Sequence, residues 1–332
     1  MRAEGLRKTS IVISTYSRPA ELKKLLASID TQTVLPEAVY VVDQSKNDAI
    51  GNVVMEFQGV KKGSFQCHHL KVAFQGLTKA RNYGLDRVRT ELTTFIDDDV
   101  TLGSAYLEKV LGFFNEKEAV LVGGIPQFPG VTHKGTPKPG GIWELYRKVF
   151  CLGRPGDGWR LLPNFEGLYK LPLLEAERSD YISGSNFTVF TDLAKSVEFD
   201  EKLIWYSIGE DIDFPMRVRK LHPDGVWLDP RPPVFHPLPP EKPLSEFLLK
   251  VHALHHYYLF SKMWDHNPSF AKIALFYWTR LGILLMPALQ HRRAGFIPDW
   301  GLLKSSLRVE WDIVKNRKCV ARGDFSDCIK LS

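Results

Sequence analysis

Cysteine is scarce and unpatterned in this chain. Cys67, Cys151, Cys319 and Cys328 are scattered through 332 residues, and none forms a Cys-x-x-Cys pair. That spacing argues against a disulfide framework and against a structural zinc site, and it points to a reducing compartment. An apolar run near the start is also missing. Ten mostly polar residues precede Ile11, Val12 and Ile13, which are too few to form the core of a signal peptide, so the expectation is a protein that starts and stays in the cytoplasm. Low-complexity sequence and internal repeats are absent, and aromatic residues make up 12% of the chain, which excludes disorder over any long stretch. The first 240 residues carry no net charge, with 30 Lys and Arg against 30 Asp and Glu. The whole surplus of +6 falls in residues 241–332, where 14 basic residues face eight acidic ones. A basic C-terminal third suits an anionic surface, either lipid headgroups or a phosphorylated acceptor, while an ordinary solvated surface has the same composition.

What is present begins with alternation. Residues 8–14 read as a strand, followed by a helix over residues 17–29 whose Leu22, Leu25, Leu26 and Ile29 follow helical spacing, with Ser17 as its cap and Pro19 in its first turn. Strands at 38–42, 69–73, 92–96 and 119–122 alternate with helices near 50–57, 78–88 and 104–114. This alternation predicts a largely parallel sheet flanked by helices. In such a sheet ligands sit at the carboxyl ends of the strands, so the residues just after each apolar run matter most. Here they are polar: Thr15 and Arg18, then Asp43, Gln44 and Ser45, then Asp97, Asp98 and Asp99. Residues 125–180 change character, with prolines interleaved among glycines and aromatics, and read as an insertion or a long mobile loop. Beyond a second proline-dense run at 230–243, three helices are predicted, at 244–264, 269–289 and 300–315.

The acidic triplet carries the most chemistry. Three crowded carboxylates repel one another unless a cation neutralises them. With no cysteine beside them, hard oxygen ligands favour Mg²⁺ or Mn²⁺, ions that bridge protein carboxylates to substrate phosphates. The alternative is a polar turn capping the helix that starts near Ser104. Asp43 can accept a hydrogen bond from a base imino group or a ribose hydroxyl, or simply end its strand in an Asx turn. With Thr78 as its expected cap, Lys79 and Arg81 fall in a first helical turn, where the dipole disfavours cations; an anion held at that helix end explains them, as does plain solvation. Glu210 and Asp211 open another helix, where acids commonly compensate the dipole, and Asp213 and Arg217 are spaced for a structural ion pair. His236 follows a short apolar run and reads either as a metal or phosphate ligand or as a scaffold histidine. His255 and His256 are adjacent on a helix and point in different directions, which speaks against a metal pair.

With those residues in place, the chain resembles the family 2 glycosyltransferases, inverting enzymes of the GT-A fold, of the bacterial polysaccharide-biosynthesis, rhamnosyltransferase-like type. The resemblance covers about residues 8 to 236 and rests on ordered motifs. Residues 10–18 look like the opening strand and donor loop, with Thr15, Tyr16 and Arg18, and Val41-Val42-Asp43-Gln44-Ser45 is similar to the base-recognition segment. Residues 76–84 resemble a Gly-x-x-x-Ala-Arg-Asn-x-Gly segment, and 95–100 the apolar strand with its Asp-x-Asp metal motif. Gly184-Ser185-Asn186 resembles the acceptor-facing loop, and Gly209-Glu210-Asp211 the Glu-Asp pair whose aspartate is the usual base.

The resemblance implies a GT-A, Rossmann-like catalytic domain over residues 1–240, with a nucleotide-sugar-binding half (1–125) and an acceptor half (126–240); charge and helical pattern set apart a helical, basic extension over 241–332. It implies a nucleotide diphosphate-sugar donor held by Thr15, Tyr16, Arg18, Asp43, Ser45, Lys79, Arg81, Asp97 and Asp98. A metal is expected at Asp97, Asp99 and His236, the acceptor at Gly184, Ser185, Asn186 and Glu210, and Asp211 is the expected base. The segment 270–289 is apolar almost all round but carries Lys272, Arg280 and Pro287, so a membrane-surface or buried helix is expected rather than a span. Arg292, Arg293, Lys304 and Arg308 add charge nearby, and peripheral attachment to the cytoplasmic membrane face follows as an expectation, with a saccharide or a polyisoprenoid-linked saccharide as acceptor. No nucleic-acid partner is expected, and a homo-oligomer stays open. Two rivals remain: a sugar-phosphate nucleotidyltransferase, which would need a glycine-rich basic loop after the first strand, and a non-catalytic sugar-nucleotide-binding subunit.

Overall fold

The structure, a computed structural model, describes residues 5–60, 65–128, 141–153, 158–204, 206–237, 246–293 and 300–325. The chain divides into two compact units, Met1–His133 with Leu173–Pro239, and Lys134–Pro172 with Pro240–Ser332.

The first unit opens with β1 (Thr9–Thr15), α1 (Pro19–Asp30), β2 (Ala38–Asp43), α2 (Ala49–Val60), β3 (Gln66–Lys71), α3 (Leu77–Leu85), β4 (Leu92–Asp97), β5 (Thr101–Leu102), α4 (Tyr106–Glu116) and β6 (Leu121–Gly124). In the second unit α5 (Ile142–Val149) and the hairpin β7 (Arg160–Leu161) and β8 (Gly167–Leu168) follow. The chain then returns to the first unit for β9 (Glu177–Arg178), β10 (Asn186–Phe190), α6 (Thr191–Val197), α7 (Glu210–Leu221), β11 (Val226–Asp229) and β12 (Val234–Phe235). It closes in the second unit with α8 (Glu246–Met263), α9 (Phe270–Arg293) and α10 (Trp300–Val320).

The first unit is an eight-stranded sheet in the order β3-β2-β1-β4-β10-β6-β11-β9. The strands from β3 to β4 are mutually parallel, β10 runs against both β4 and β6, β11 is parallel to β6, and β9 is antiparallel to β11. The sheet is therefore mostly parallel, as the alternation predicts. Its register sets the site: Thr15 pairs with Asp43 and Ser14 with Asp97, so the first three ligand-facing strand ends finish in line. Ile11, Ile13, Val39, Val41 and Ile96 are buried, and Leu22, Leu25, Leu26 and Ile29 of α1 join the same core. Truncating one such leucine to alanine costs roughly 2–5 kcal/mol. Gly84 lets α3 lie against the sheet, because a Cβ there would meet Val12 Cγ1 at 2.5 Å.

Some local expectations are corrected. Ser17 does not cap α1: it takes φ +55°, and Arg18 precedes the helix with no side-chain cap. The Ser17 amide instead donates to Ser45 Oγ at 2.8 Å. Thr78 does not cap α3, which starts after Gly76; Thr78 is buried and its hydroxyl donates to the Leu203 carbonyl. None of the three aspartates caps α4, which has Ala105 before it and no side-chain cap. The proline-rich stretch is not one long loop, since its described part contains α5 and a hairpin. Among the described residues Cys67 and Cys151 are free.

In the second unit the three predicted C-terminal helices are present. Phe276 of α9 lies among Tyr257 and Phe260 of α8, and Arg280 donates to Glu310 of α10 from Nε at 2.8 Å. Among the described residues no helix is long and apolar enough to cross a membrane. In the described part of α9, Phe276, Thr279 and Arg280 are enclosed, whereas Phe270 and Trp278 are exposed. The side chains of residues 287–300, which include Arg292 and Arg293, lie outside the described residues.

Candidate active site

The carboxyl ends of β1, β2 and β4 converge with the loop before β10 and with the short sheet of β5 and β12. β4 delivers the acidic triplet. Its second carboxylate, Asp98, turns inward, where it accepts from Thr15 Oγ1 at 2.6 Å and from Arg18 Nη1 at 3.1 Å. Burial pushes the Asp98 carboxyl up to about 6, against the pull of that hydrogen bond and of the Arg18 charge. Asp98 is thus a bracket between the donor loop and β4, and it leaves its two neighbours facing outward. Arg18 also donates to Asp99 Oδ2 at 2.7 Å, which ties the loop after β1 to the same cluster.

His236 reaches Asp99 because β12 pairs antiparallel to β5, with Phe235 opposite Thr101, two residues past Asp99. One ligand atom from each of Asp97, Asp99 and His236 falls within 4.8 Å of the others. His236 Nδ1 contacts the Pro237 carbonyl at 2.7 Å, and since a carbonyl only accepts, Nδ1 carries the proton. His236 Nε2 faces Asp99 Oδ1, 3.4 Å away, where an imidazole nitrogen and a carboxylate oxygen could both bind one divalent cation. Two carboxylates and one imidazole suit Mn²⁺ or Mg²⁺, so the residues present fit a divalent cation.

Behind this group lies a buried arginine. Arg81 Nη2 donates to Asp97 Oδ1 at 3.0 Å and to the Gly184 carbonyl at 2.7 Å, while Nη1 pairs with Glu210 Oε2 at 2.8 Å. Burial alone would weaken its charge, but Glu210 and Asp97 outweigh that and raise its pKa. One guanidinium therefore joins three segments distant in sequence. The resemblance placed Arg81 on the diphosphate; the structure places it 2% exposed behind Asp97, while Lys79 is exposed on the first turn of α3. Gly184 is pinned as well, because a Cβ there would collide with the Glu210 carboxylate.

α7 begins at Gly209, in the left-handed region with φ +90°, a conformation that glycine adopts without strain. The turn sends Glu210 inward to Arg81 and leaves Asp211 half-buried at the helix start. Burial raises the carboxyl pKa of both. Pro215 sits one turn on and has no N–H to give the Asp211 carbonyl, which accepts instead from the Ile182 amide at 3.2 Å. A proline inside a helix thus ties Asp211 to the loop carrying Gly184, Ser185 and Asn186. That loop lies against the metal-ligand strand, with the Asp97 amide donating to the Ser185 carbonyl at 2.9 Å and Asn186 opposite Ile96. Asp213 and Arg217 form the structural pair their spacing suggests, at 2.7 Å.

At the end of β2, Asp43 is fully buried. The Ser45 amide donates to its Oδ1 at 2.8 Å, and His69 Nε2 and Lys71 Nζ lie 3.0 and 3.1 Å from its Oδ2. Burial works against its charge, but the bonds from Ser45, His69 and Lys71 prevail and lower its pKa. His69 and Lys71 are site residues that sequence reasoning passed over. The signal was available in the parallel pairing of β2 with β3, which sets Lys71 opposite Asp43. Gln44 was noted without a task, and its side chain accepts from the Gly76 amide at 2.7 Å, joining the β2 end to the start of α3. Tyr16 is 48% exposed, and the buried Ser45 accepts from the amide of its neighbour Ser17.

Known proteins resemble this chain. A glucosyltransferase of Campylobacter jejuni, named GalNAc(5)-diNAcBac-PP-undecaprenol beta-1,3-glucosyltransferase, is 27% identical over 203 residues, covering 58% of this chain and 61% of that protein. Mouse polypeptide N-acetylgalactosaminyltransferase 12 is 25% identical over 264 residues, 73% of this chain and 42% of that one. The chain thus spans about three fifths or less of the length of these relatives. Among solved structures, that of GalNAc-T7 with UDP, GalNAc and Mn²⁺ superposes with a TM-score of 0.54 at 12% identity, covering 89% of this chain and 59% of that one, a likeness of fold that agrees with the expected GT-A architecture. Residues 10–192, more than half of the chain, match the sequence model described as glycosyl transferase family 2, and the chain belongs to that family.

Proposed function

We propose that this chain transfers a sugar from a nucleoside diphosphate-sugar to an acceptor hydroxyl with inversion at the anomeric carbon. The observation that carries the reading is the convergence of Asp97, Asp99 and His236 within 4.8 Å at the strand ends. Asp97, Asp99 and His236 would hold a divalent cation, which would supply positive charge to offset that on the leaving diphosphate. The protein's own groups do the rest. Asp43 accepts from the base, its orientation held by Ser45, His69 and Lys71. Arg18, 53% exposed beside Asp98 and Asp99, is placed to turn toward a diphosphate. Thr15, Tyr16, Ser45 and exposed Lys79 complete the donor side.

Asp211 takes the proton from the acceptor hydroxyl. Glu210 is unsuited, since its carboxylate is committed to Arg81, whereas Asp211 is half-exposed with a raised pKa, which suits a base working near neutral pH. Glu210 and the 184–186 loop shape the acceptor side. The name of the Campylobacter relative supports a polyisoprenoid-linked saccharide as acceptor and contact with a membrane surface. We assign the reaction to the first unit and lipid contact to the basic second one. A nucleotidyltransferase is disfavoured, since the loop after β1 is Tyr16-Ser17-Arg18 rather than glycine-rich.

The test is a thermal-shift screen of nucleoside diphosphates with and without Mn²⁺. Ligand at a hundred times its Kd stabilises by about 2.7 kcal/mol. One diphosphate with Mn²⁺ should raise the melting temperature more than either alone, and His236→Ala should remove that increment. If Mn²⁺ adds nothing to any diphosphate, the metal reading is wrong; if no donor is ever consumed, the transfer reading is wrong.

A further inference from the structure

An exposed, charged face of α10 has no part in the proposed reaction. At 3.6 residues per turn, Lys304, Leu307, Arg308, Trp311, Lys315 and Lys318 fall on one side of the helix. Each of these residues is exposed, Leu307 at 44% and Trp311 at 58%. The opposite side, with Ser306, Val309, Glu310, Ile313 and Val320, is buried within the second unit. The acids of the helix are off the stripe: Glu310 is enclosed against Arg280, and Asp312 sits to one side, partly buried. Lys315 lies over the Trp311 ring at 5.4 Å, so cation and indole share one patch. The stripe is about 21 Å long at 1.5 Å per residue.

Such a face is costly to leave in water for no purpose. Leu307 and Trp311 would be better buried, but the four cations around them forbid a dry protein core. An interface offering hydrocarbon beneath a layer of negative charge satisfies both kinds of side chain, and an indole with its polar N–H is well suited to that boundary. We propose that this face of α10 is the surface by which the chain lies on an anionic membrane, with Leu307 and Trp311 entering the headgroup layer and Lys304, Arg308, Lys315 and Lys318 pairing with lipid phosphates. An acidic polymer such as nucleic acid would satisfy the cations but leaves Leu307 without a role. The same unit exposes a second, smaller apolar face on α5, formed by Ile142, Leu145 and Val149 beside Arg147 and Lys148. The inference is independent of the transfer reaction, since binding to lipid can succeed or fail whatever the catalytic site does.

The experiment is flotation of the intact chain with vesicles of pure phosphatidylcholine or of phosphatidylcholine with one third phosphatidylglycerol. Each cation near such a surface contributes about fivefold in binding, so Arg308→Gln/Lys315→Gln should weaken binding to the anionic vesicles on the order of twenty-five-fold. A control with the same charge change at exposed Lys24 and Arg160 should bind as the parent does. Trp311→Ala keeps every charge, and its binding should still fall, an effect that charge attraction alone does not predict. All three variants alter exposed side chains, and an unchanged melting temperature confirms that each is folded. The proposal is overturned if the parent ignores phosphatidylglycerol, if the α10 variant and the control behave alike, if Trp311→Ala binds as the parent, or if a DNA duplex binds while the vesicles do not.

Discussion

Removing the Arg81 guanidinium should cost more stability than any other single polar change at the site. Its side chain is 3% exposed and makes three charge-assisted contacts of 2.7 to 3.0 Å, to Asp97, Glu210 and the Gly184 carbonyl. Each ion pair at such distances is worth roughly 5 kcal/mol of gross attraction at an effective dielectric near 20, most of it spent on desolvation. Deleting one partner reverses that balance, because the buried Glu210 carboxylate and the partly exposed Asp97 carboxylate then lose their cation. Arg81→Met should destabilise the first unit by about 3–5 kcal/mol, a large share of the roughly 5–15 kcal/mol that holds a domain together. Arg81→Lys should recover only part of it, since an ammonium cannot present a fork to two carboxylates at once. Arg81→Met/Glu210→Gln should be milder than the sum of its parts, since the second change removes one stranded charge. Because the orphaned carboxylates can take up protons, the penalty should shrink as pH falls. The measurement is native-state hydrogen exchange of the β1 and β4 amides, which report opening of the first unit separately from the second. A loss below 1 kcal/mol for Arg81→Met, or additivity in the double variant, would refute the argument.

Other outcomes follow from single features. Asp211→Asn should lower the transfer rate by about a hundred- to ten-thousand-fold while leaving donor affinity intact; near-normal turnover would remove the assignment of the base. Iodoacetamide at neutral pH should label exposed Cys151 and spare Cys67, which is 2% exposed and whose thiol burial pushes up to about 12; peptide mapping reads the ratio. His256 is held neutral in the fold, first by burial and then by the charge of Arg280. Its folded pKa lies well below the unfolded value near 6.5, so its stabilising effect is complete above that pH and is lost as pH falls below it. The second unit should lose about 1.4 kcal/mol per pH unit in that window, and chemical denaturation of His256→Gln should show a correspondingly shallower slope; an equal slope would count against the reading. Gly184→Ala should displace the Glu210 carboxylate from Arg81 and lower both melting temperature and acceptor turnover, and a variant that melts normally would contradict the collision.

Much of this was legible in local sequence because local sequence fixes strand ends. Runs such as Leu92 to Ile96 must be buried, so the first polar residues after them emerge at the sheet edge whatever surrounds it. The fold class followed from alternation for the same reason. Neither Ser17 nor Thr78 caps its helix, because distant loops hold them otherwise: the Ser17 backbone amide donates to Ser45 Oγ and the Thr78 hydroxyl to the Leu203 carbonyl.

By itself the sequence determined a mostly parallel sheet with helices, the acidic triplet at the end of one strand, and the family motifs in their order. Only tertiary structure decided what each charge does. Asp98 turned inward to Thr15, Arg81 went behind the site rather than onto it, and His236 came to Asp99 through a two-stranded pairing across more than a hundred residues. Periodicity reports which face of an element is apolar, but the partner of a buried charge is chosen by whichever distant group arrives within hydrogen-bonding distance once the core has closed.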